Sequence, residues 1–158
     1  MTSTEQVIST VPCVIRRRVK FGECDPAGVV YTVTFAEYVI SAAELFYGCL
    51  LGGAPQQAKA RLGFGTPSRA MEFDFRSSLR PDDQFDIAVS VREIRSRTYV
   101  LGFSAQLPDG RDVFEARLTP VCVGPHERKA IEIPDAFRRA LEQYRAATNR
   151  PATQPVAS

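Results

Sequence analysis

Between residues 34 and 50 the apolar side chains Phe35, Val39, Ala42, Phe46 and Leu50 recur at spacings of four, three, four and four. That rhythm places them on one stripe of an α-helix. Glu37, Ser41 and Glu44 fall on another face. Thr32 or Thr34 can cap the start, and Gly52-Gly53 can end it. Ile40, Ala43 and Leu45 lie outside the stripe, so the helix is expected to be packed on more than one side.

Downstream the period drops to two. Met71, Phe73 and Phe75 alternate with Glu72, Asp74 and Arg76, and Phe85, Ile87, Val89 and Val91 alternate with Asp86, Ala88, Ser90 and Arg92. Tyr99, Leu101, Phe103, Ala105 and Leu107 continue the alternation, as do Phe114, Ala116 and Leu118 before Val121-Cys122-Val123. Arg80-Pro81-Asp82-Asp83, Arg95-Ser96-Arg97 and Pro108-Asp109-Gly110 supply the turns. Residues 14–21 read as a first strand, and Pro134 can open a short last helix through Phe137, Leu141 and Tyr144. The order is strand, long helix, four strands in a meander, short helix. Tight turns make neighbouring strands antiparallel, so the expected class is α+β, one long helix against a curved antiparallel sheet. Apolar residues on the other sheet face would call for an oligomer.

A chain of 158 residues with 44% hydrophobic and 24% charged residues fits one domain with a real core. The domain is expected over residues 1–147. Residues 148–158 read as a flexible tail, and the first ten residues have a similar character. Twenty Lys and Arg against eighteen Asp and Glu give a net charge of +2, too balanced for a nucleic-acid partner. Arg16, Arg17 and Arg18 read as a solvated strand face. No stretch approaches the roughly 20 apolar residues of a membrane span, and the polar start does not read as a signal peptide. The expected location is the cytoplasm, with no membrane partner. Cys13, Cys24, Cys49 and Cys122 lack metal-ligand spacing and read as free thiols, with Cys13, Cys49 and Cys122 as small buried hydrophobes. No metal and no cofactor are expected. The single histidine, His126, lies in a loop-like Gly-Pro-His-Glu-Arg run, poorly placed for nucleophile activation.

The chemistry concentrates between the first strand and the long helix, in Phe21-Gly22-Glu23-Cys24-Asp25-Pro26-Ala27-Gly28-Val29-Val30-Tyr31. Pro26 fixes φ and Gly28 permits a sharp turn. The loop feeds a helix N-terminus, whose free N–H groups can hold a developing oxyanion. Asp25 could attack a thioester carbonyl or activate a water. Asp-Pro-x-Gly is also a common turn sequence, and an aspartate there can simply form the turn.

This run, with Phe35 and Tyr38 after it, resembles the signature of the 4-hydroxybenzoyl-CoA thioesterase family. Gly65-Thr66-Pro67, Arg95-Ser96-Arg97-Thr98 and Ala130-Ile131-Glu132-Ile133-Pro134 extend the resemblance over about residues 14 to 140. It implies a hotdog fold, a five-stranded antiparallel sheet wrapped around the long helix, in dimers often paired into homotetramers. It implies acyl-CoA thioester hydrolysis with Asp25 as the catalytic carboxylate and a backbone N–H near Tyr31 or Thr32 polarising the carbonyl. It places Thr66, from the other subunit, near the acyl group, and Arg95, Arg97, Arg128 and Lys129 at the coenzyme A phosphates.

Two departures bear on substrate. The branch specific for 4-hydroxybenzoyl-CoA has an acidic residue where this chain has Ile40, and a buried isoleucine cannot accept a hydrogen bond from a para hydroxyl. Another branch has a histidine where Thr32 stands. An apolar acyl pocket shaped by Phe35, Ile40, Phe64 and Met71 is expected, for an aromatic or a short to medium-chain acyl group. A non-catalytic acyl-CoA or acyl-carrier binding module and a hotdog hydratase are the competing readings.

Overall fold

The computed structural model describes residues 3–149. Six strands, β1 (Glu5–Thr10), β2 (Cys13–Arg18), β3 (Ser68–Phe75), β4 (Gln84–Ile94), β5 (Tyr99–Gln106) and β6 (Asp112–Pro120), form one antiparallel sheet in the order β1-β2-β4-β5-β6-β3. Helices α1 (Thr32–Leu51), α2 (Pro55–Leu62) and α3 (Asp135–Thr148) complete the fold.

The register explains the core. Cys13, Val89, Phe103, Ala116 and Phe73 are paired in one row across five strands, and Ile15, Ile87, Ala105, Phe114 and Phe75 in another. With a side-chain period of two, both rows face the same side. Phe35, Val39, Ala42 and Phe46 of α1 are buried in the same hydrophobic cluster. α3 adds Phe137, Leu141 and Tyr144 to it. The Tyr144 hydroxyl accepts from Cys13 N at 2.8 Å and donates to Val89 O, which satisfies buried backbone groups where β2 meets β4.

Several expectations need correction. The sheet has six strands rather than five, because residues 5–10 pair with β2 instead of forming a loose end. The four later strands are not one meander. β3 pairs with β6 at the far edge, and residues 76–83 carry the chain back to β4 across the start of α1, where Val30 N donates to Leu79 O at 2.8 Å. The opposite sheet face holds Ala88, Ser90, Gly102, Ser104, Glu115 and Arg117, small or polar residues that remove the sheet-face argument for an oligomer. The exposed apolar residues are elsewhere and include Tyr31, Val33 and Ile40 of the loop and α1, and Phe75. Ile40 is 44% exposed, not buried. Cys49 is exposed as well, whereas Cys13 and Cys122 are buried.

α1 runs from Thr32, with Tyr31 as its N-cap, to a left-handed Gly52. Among the described residues it is the one helix long and apolar enough to cross a membrane, which the sequence reading did not anticipate. α3 extends through Thr148, one residue into the expected tail. The rest of that tail, from residue 150, lies outside the described residues.

Candidate active site

The loop before α1 is closed by its own backbone. Phe21–Glu23 forms a single 3-10 turn, and Cys24 bridges to Val30. Inside that bridge Asp25 N donates to Val29 O, and Gly28 N donates to Asp25 O, each at 2.9 Å. Gly28 sits at φ +81°, in the left-handed region that glycine enters without penalty. One carboxylate oxygen of Asp25 accepts from Ala27 N at 2.8 Å, an Asx-type turn. Asp25 is thereby fixed, half-buried, beside the Val29–Tyr31 segment that enters the helix.

The start of α1 is only partly capped. Tyr31 N donates to Glu23 O at 3.0 Å, and Thr34 N to Tyr31 O at 2.8 Å. No side chain caps the helix, and neither Thr32 N nor Val33 N meets an acceptor among the described residues. Two open N–H groups at the positive end of a twenty-residue helix form a site for negative charge.

A second feature lies farther along α1. A cavity of about 560 Å³ is lined by Ile40, Ala43, Glu44 and Tyr47 of α1, Lys59 of α2, Phe64 to Ser68, Leu118 and residues 123–125 with Arg128. Its floor is built by interlocked rings. Phe64 meets Phe137 edge-on, and Tyr47 meets both Phe137 and Tyr99. The Tyr47 and Tyr99 hydroxyls are 2.6 Å apart. No residue of the Asp25 loop lines the cavity. Thr32 and Ile40 are eight residues apart on α1, which is about 12 Å along the axis.

Exposed basic residues collect near the cavity, where Arg128 is the one of them that lines it. Residues 121–123 run between two partners, with Val123 bridged to Gly65 and Cys122 N donating to Arg97 O at 2.9 Å. The chain then turns through a hairpin closed by Gly124 N to Lys129 O at 3.0 Å. Arg95, Arg97, Arg128 and Lys129 therefore gather at one end of the molecule and are all exposed. Arg95 pairs with Glu93 at 2.6 Å and Lys129 with Glu127 at 3.4 Å.

A family model for the thioesterase-like superfamily matches residues 19–141. The chain belongs to that superfamily. A curated relative, the 4-hydroxybenzoyl-CoA thioesterase of Pseudomonas sp. (strain CBS-3), is 29% identical over 87 residues, 54% of this chain and 62% of the relative. The match thus spans less than two thirds of that relative. The solved structure of 4-hydroxybenzoyl-CoA thioesterase from Pseudomonas sp. strain CBS-3 superposes with a TM-score of 0.71 at 25% identity, covering 80% of this chain and 96% of that one. SAV2348 from Staphylococcus aureus, solved in complex with CoA, superposes with a TM-score of 0.80 at 12% identity, covering 99% and 94%. The fold is the hotdog fold of the Pseudomonas thioesterase, and thioester hydrolysis is the activity for which that relative is named.

Within this thioesterase fold the expected site residues fall into two groups. Asp25, Tyr31 and Thr32 come together at the foot of α1. Ile40, Phe64 and Thr66 line the cavity, with Arg128. The Tyr31 N–H is occupied by Glu23 O, so of the two expected donors Thr32 is the open one. Phe35 and Met71 do not line the cavity. Phe35 is a core ring in edge contact with Tyr38, Phe75 and Phe114, and Met71 packs half-buried against the core.

Two further residues were missed by sequence reasoning. Lys59 is buried in the cavity wall although its short helix, Pro-Gln-Gln-Ala-Lys-Ala-Arg-Leu, has no clear apolar stripe. Arg17, read as part of a solvated face, is inward. It pairs with both Glu5 and Glu23. Its place two residues after Ile15, in phase with the inward Cys13 and Ile15, was the available signal for Arg17, and no local signal marked Lys59.

Proposed function

We propose that this protein hydrolyses acyl-CoA thioesters. The observation that supports this most directly is the half-buried Asp25, held by its loop beside the open N-terminus of α1. In this reading Thr32 N–H takes the negative charge that develops on the carbonyl oxygen. Asp25 either attacks the carbonyl carbon, giving an anhydride that water then opens, or removes a proton from an attacking water. In both cases the C–S bond breaks, the thiol leaves with a proton, and a carboxylic acid remains. The acyl group occupies the cavity beside Ile40, Phe64 and Thr66, and Arg95, Arg97, Arg128 and Lys129 meet the coenzyme A phosphates, for which guanidinium donors are well shaped.

Asp25 and the cavity lie at different stations along α1, so a working site calls for a second copy that sets its cavity against the first copy's Asp25. Tyr31, Val33 and Ile40, exposed along that helix, supply apolar surface for such a homo-oligomer. Four free thiols fit a reducing, cytoplasmic setting.

The test is thiol release from a panel of benzoyl-, 4-hydroxybenzoyl-, phenylacetyl- and straight-chain acyl-CoAs, with Asp25→Asn beside the wild type. Asparagine keeps the Oδ1 acceptor for Ala27 N, so the loop persists while the basic and nucleophilic oxygen is lost. Turnover is expected to fall on the order of 10²- to 10⁴-fold with acyl-CoA binding retained. Unchanged turnover in the variant would remove Asp25 from the mechanism, and no thiol release from any thioester would remove the hydrolase reading.

A further inference from the structure

Lys59 is 4% exposed. Its Nζ donates to Thr66 Oγ1 at 2.6 Å and stands 3.9 Å from the centre of the Tyr47 ring. An ammonium carries three N–H donors. One is used by Thr66, and the ring face receives the charge without a hydrogen bond. Lys59 makes no ion pair with a carboxylate among the described residues. The acidic side chain nearest in the cavity wall is Glu44, an exposed residue whose field acts on Lys59 from a distance. Arg128 is the other cation that lines the same space.

Burying an ammonium is costly unless an anion and hydrogen-bond acceptors compensate for lost water. This one opens onto about 560 Å³ of cavity and still has donors to offer. Burial lowers its pKa to about 8, which leaves it mostly charged at neutral pH. Apolar wall comes from Ile40, Phe64, Leu118 and Val123, interrupted by the polar Gln56 and Ser68. A cavity with apolar stretches of wall and a buried cation is complementary to a ligand with an apolar body and an anionic end.

We propose that Lys59, together with Thr66, binds a free carboxylate at the distal end of the acyl group, so that the preferred substrates are monothioesters of dicarboxylic acids. This rests on the cavity being the acyl end of the site, and it gives a specific task to a residue outside the Asp25 machinery. Thr66 orients the ammonium, and the Tyr47–Tyr99 pair holds the ring beneath it.

Two thioethers of coenzyme A that cannot be hydrolysed provide the test, one carrying a 4-carboxybenzyl group and the other a 4-methylbenzyl group of similar size. Binding of each to the 158-residue chain is measured by calorimetry at pH 7. The carboxylate analogue is expected to bind about tenfold more tightly or better, and Lys59→Met should bring the two within about twofold of each other by weakening the carboxylate analogue alone. On unmodified protein the preference should also shrink between pH 7 and pH 9.5 as Lys59 loses its proton. Glu44 and Arg128 are the other charged groups on this cavity, and burial keeps the Cys122 thiol protonated over most of that range, its pKa pushed up to about 11. Equal binding of both analogues by the wild type, a preference that survives Lys59→Met and high pH, or failure of both to bind would overturn the proposal. Because no thioester is cleaved in this experiment, its result stands apart from whether the protein hydrolyses acyl-CoA.

Discussion

The hydroxyl of Tyr38, in the second turn of α1, donates to Oε1 of Glu23 at 3.0 Å and so ties the helix to the residue two places before Asp25. Arg17 completes the tie. Its side chain is 11% exposed, pairs with Glu5 and Glu23, and places its guanidinium carbon 5.0 Å from the centre of the Tyr38 ring. Glu5 in turn accepts from Ser41 on α1. Removing the cation leaves two largely buried carboxylates facing each other. Arg17→Met is expected to lower stability by about 2–4 kcal/mol, read as a shift in the urea midpoint at constant slope. Turnover should fall as well, because the Asp25 loop loses its anchor. A variant as stable as the wild type would show the network to be incidental.

Gly28 offers a milder way to disturb the same loop. A Cβ there would meet no atom within 4 Å, so the cost of Gly28→Ala is the backbone conformation alone. With φ at +81°, alanine should cost about 1–2 kcal/mol. Gly28→Asn should recover part of that, since asparagine tolerates the left-handed region. Thermal unfolding of the two variants checks the order, and thiol release checks whether kcat follows it while KM stays near the wild-type value.

Lys59 should leave a mark on stability against pH. Its pKa in the folded protein, about 8, lies below that of an unfolded lysine, so between about 8 and 10.5 the unfolded chain binds more protons. Stability linked to this group therefore rises with pH through that window, and the burial cost is felt in full below it. Lys59→Met removes the cost along with the Thr66 hydrogen bond and the ring contact. The variant is expected to be more stable than the wild type by about 1–3 kcal/mol at pH 7, with the difference fading by pH 10. Denaturant titrations of both proteins at pH 7 and pH 9.5 measure it. A difference that does not change with pH would show that Lys59 does not titrate in this range.

What could be read from the chain, and what could not, follows from where the information resides. The stripe of α1 and the alternation of β4 to β6 are local periodic signals, and both elements formed where the periods lay. β1 has no such signal. Glu5-Gln6-Val7-Ile8-Ser9-Thr10 is a polar edge strand whose stability comes from pairing with β2. α2 was invisible for a similar reason, since Ala58 and Lys59 are its buried residues and alanine gives little amphipathic contrast. β3 was assigned to the wrong neighbour because chain order suggests pairing across the next turn, whereas residues 76–83 cross the foot of α1. At the site, the Asp25 motif could be recognised from its residues. The burial of Lys59 depends on Tyr47 and Thr66, which only the fold brings to it.

A mixing experiment addresses the two stations on α1 directly. Asp25→Asn spoils the carboxylate and leaves the cavity intact, while Thr66→Phe fills the cavity and leaves the carboxylate. Each variant alone should be nearly inactive. If each site joins Asp25 of one copy to the cavity of another, an equal mixture that exchanges subunits regains about a quarter of wild-type turnover, because half of the pairs are mixed and each mixed pair has one sound site. No recovery after exchange would place both halves of the site in one chain.

The distance of about 12 Å along the helix from Thr32 to Ile40 has a consequence beyond geometry. If the site is shared between copies as proposed, its activity is governed by mass action. Dilution below the dissociation constant of the assembly would silence the protein without unfolding it, and specific activity would climb with protein concentration until every chain had found a companion.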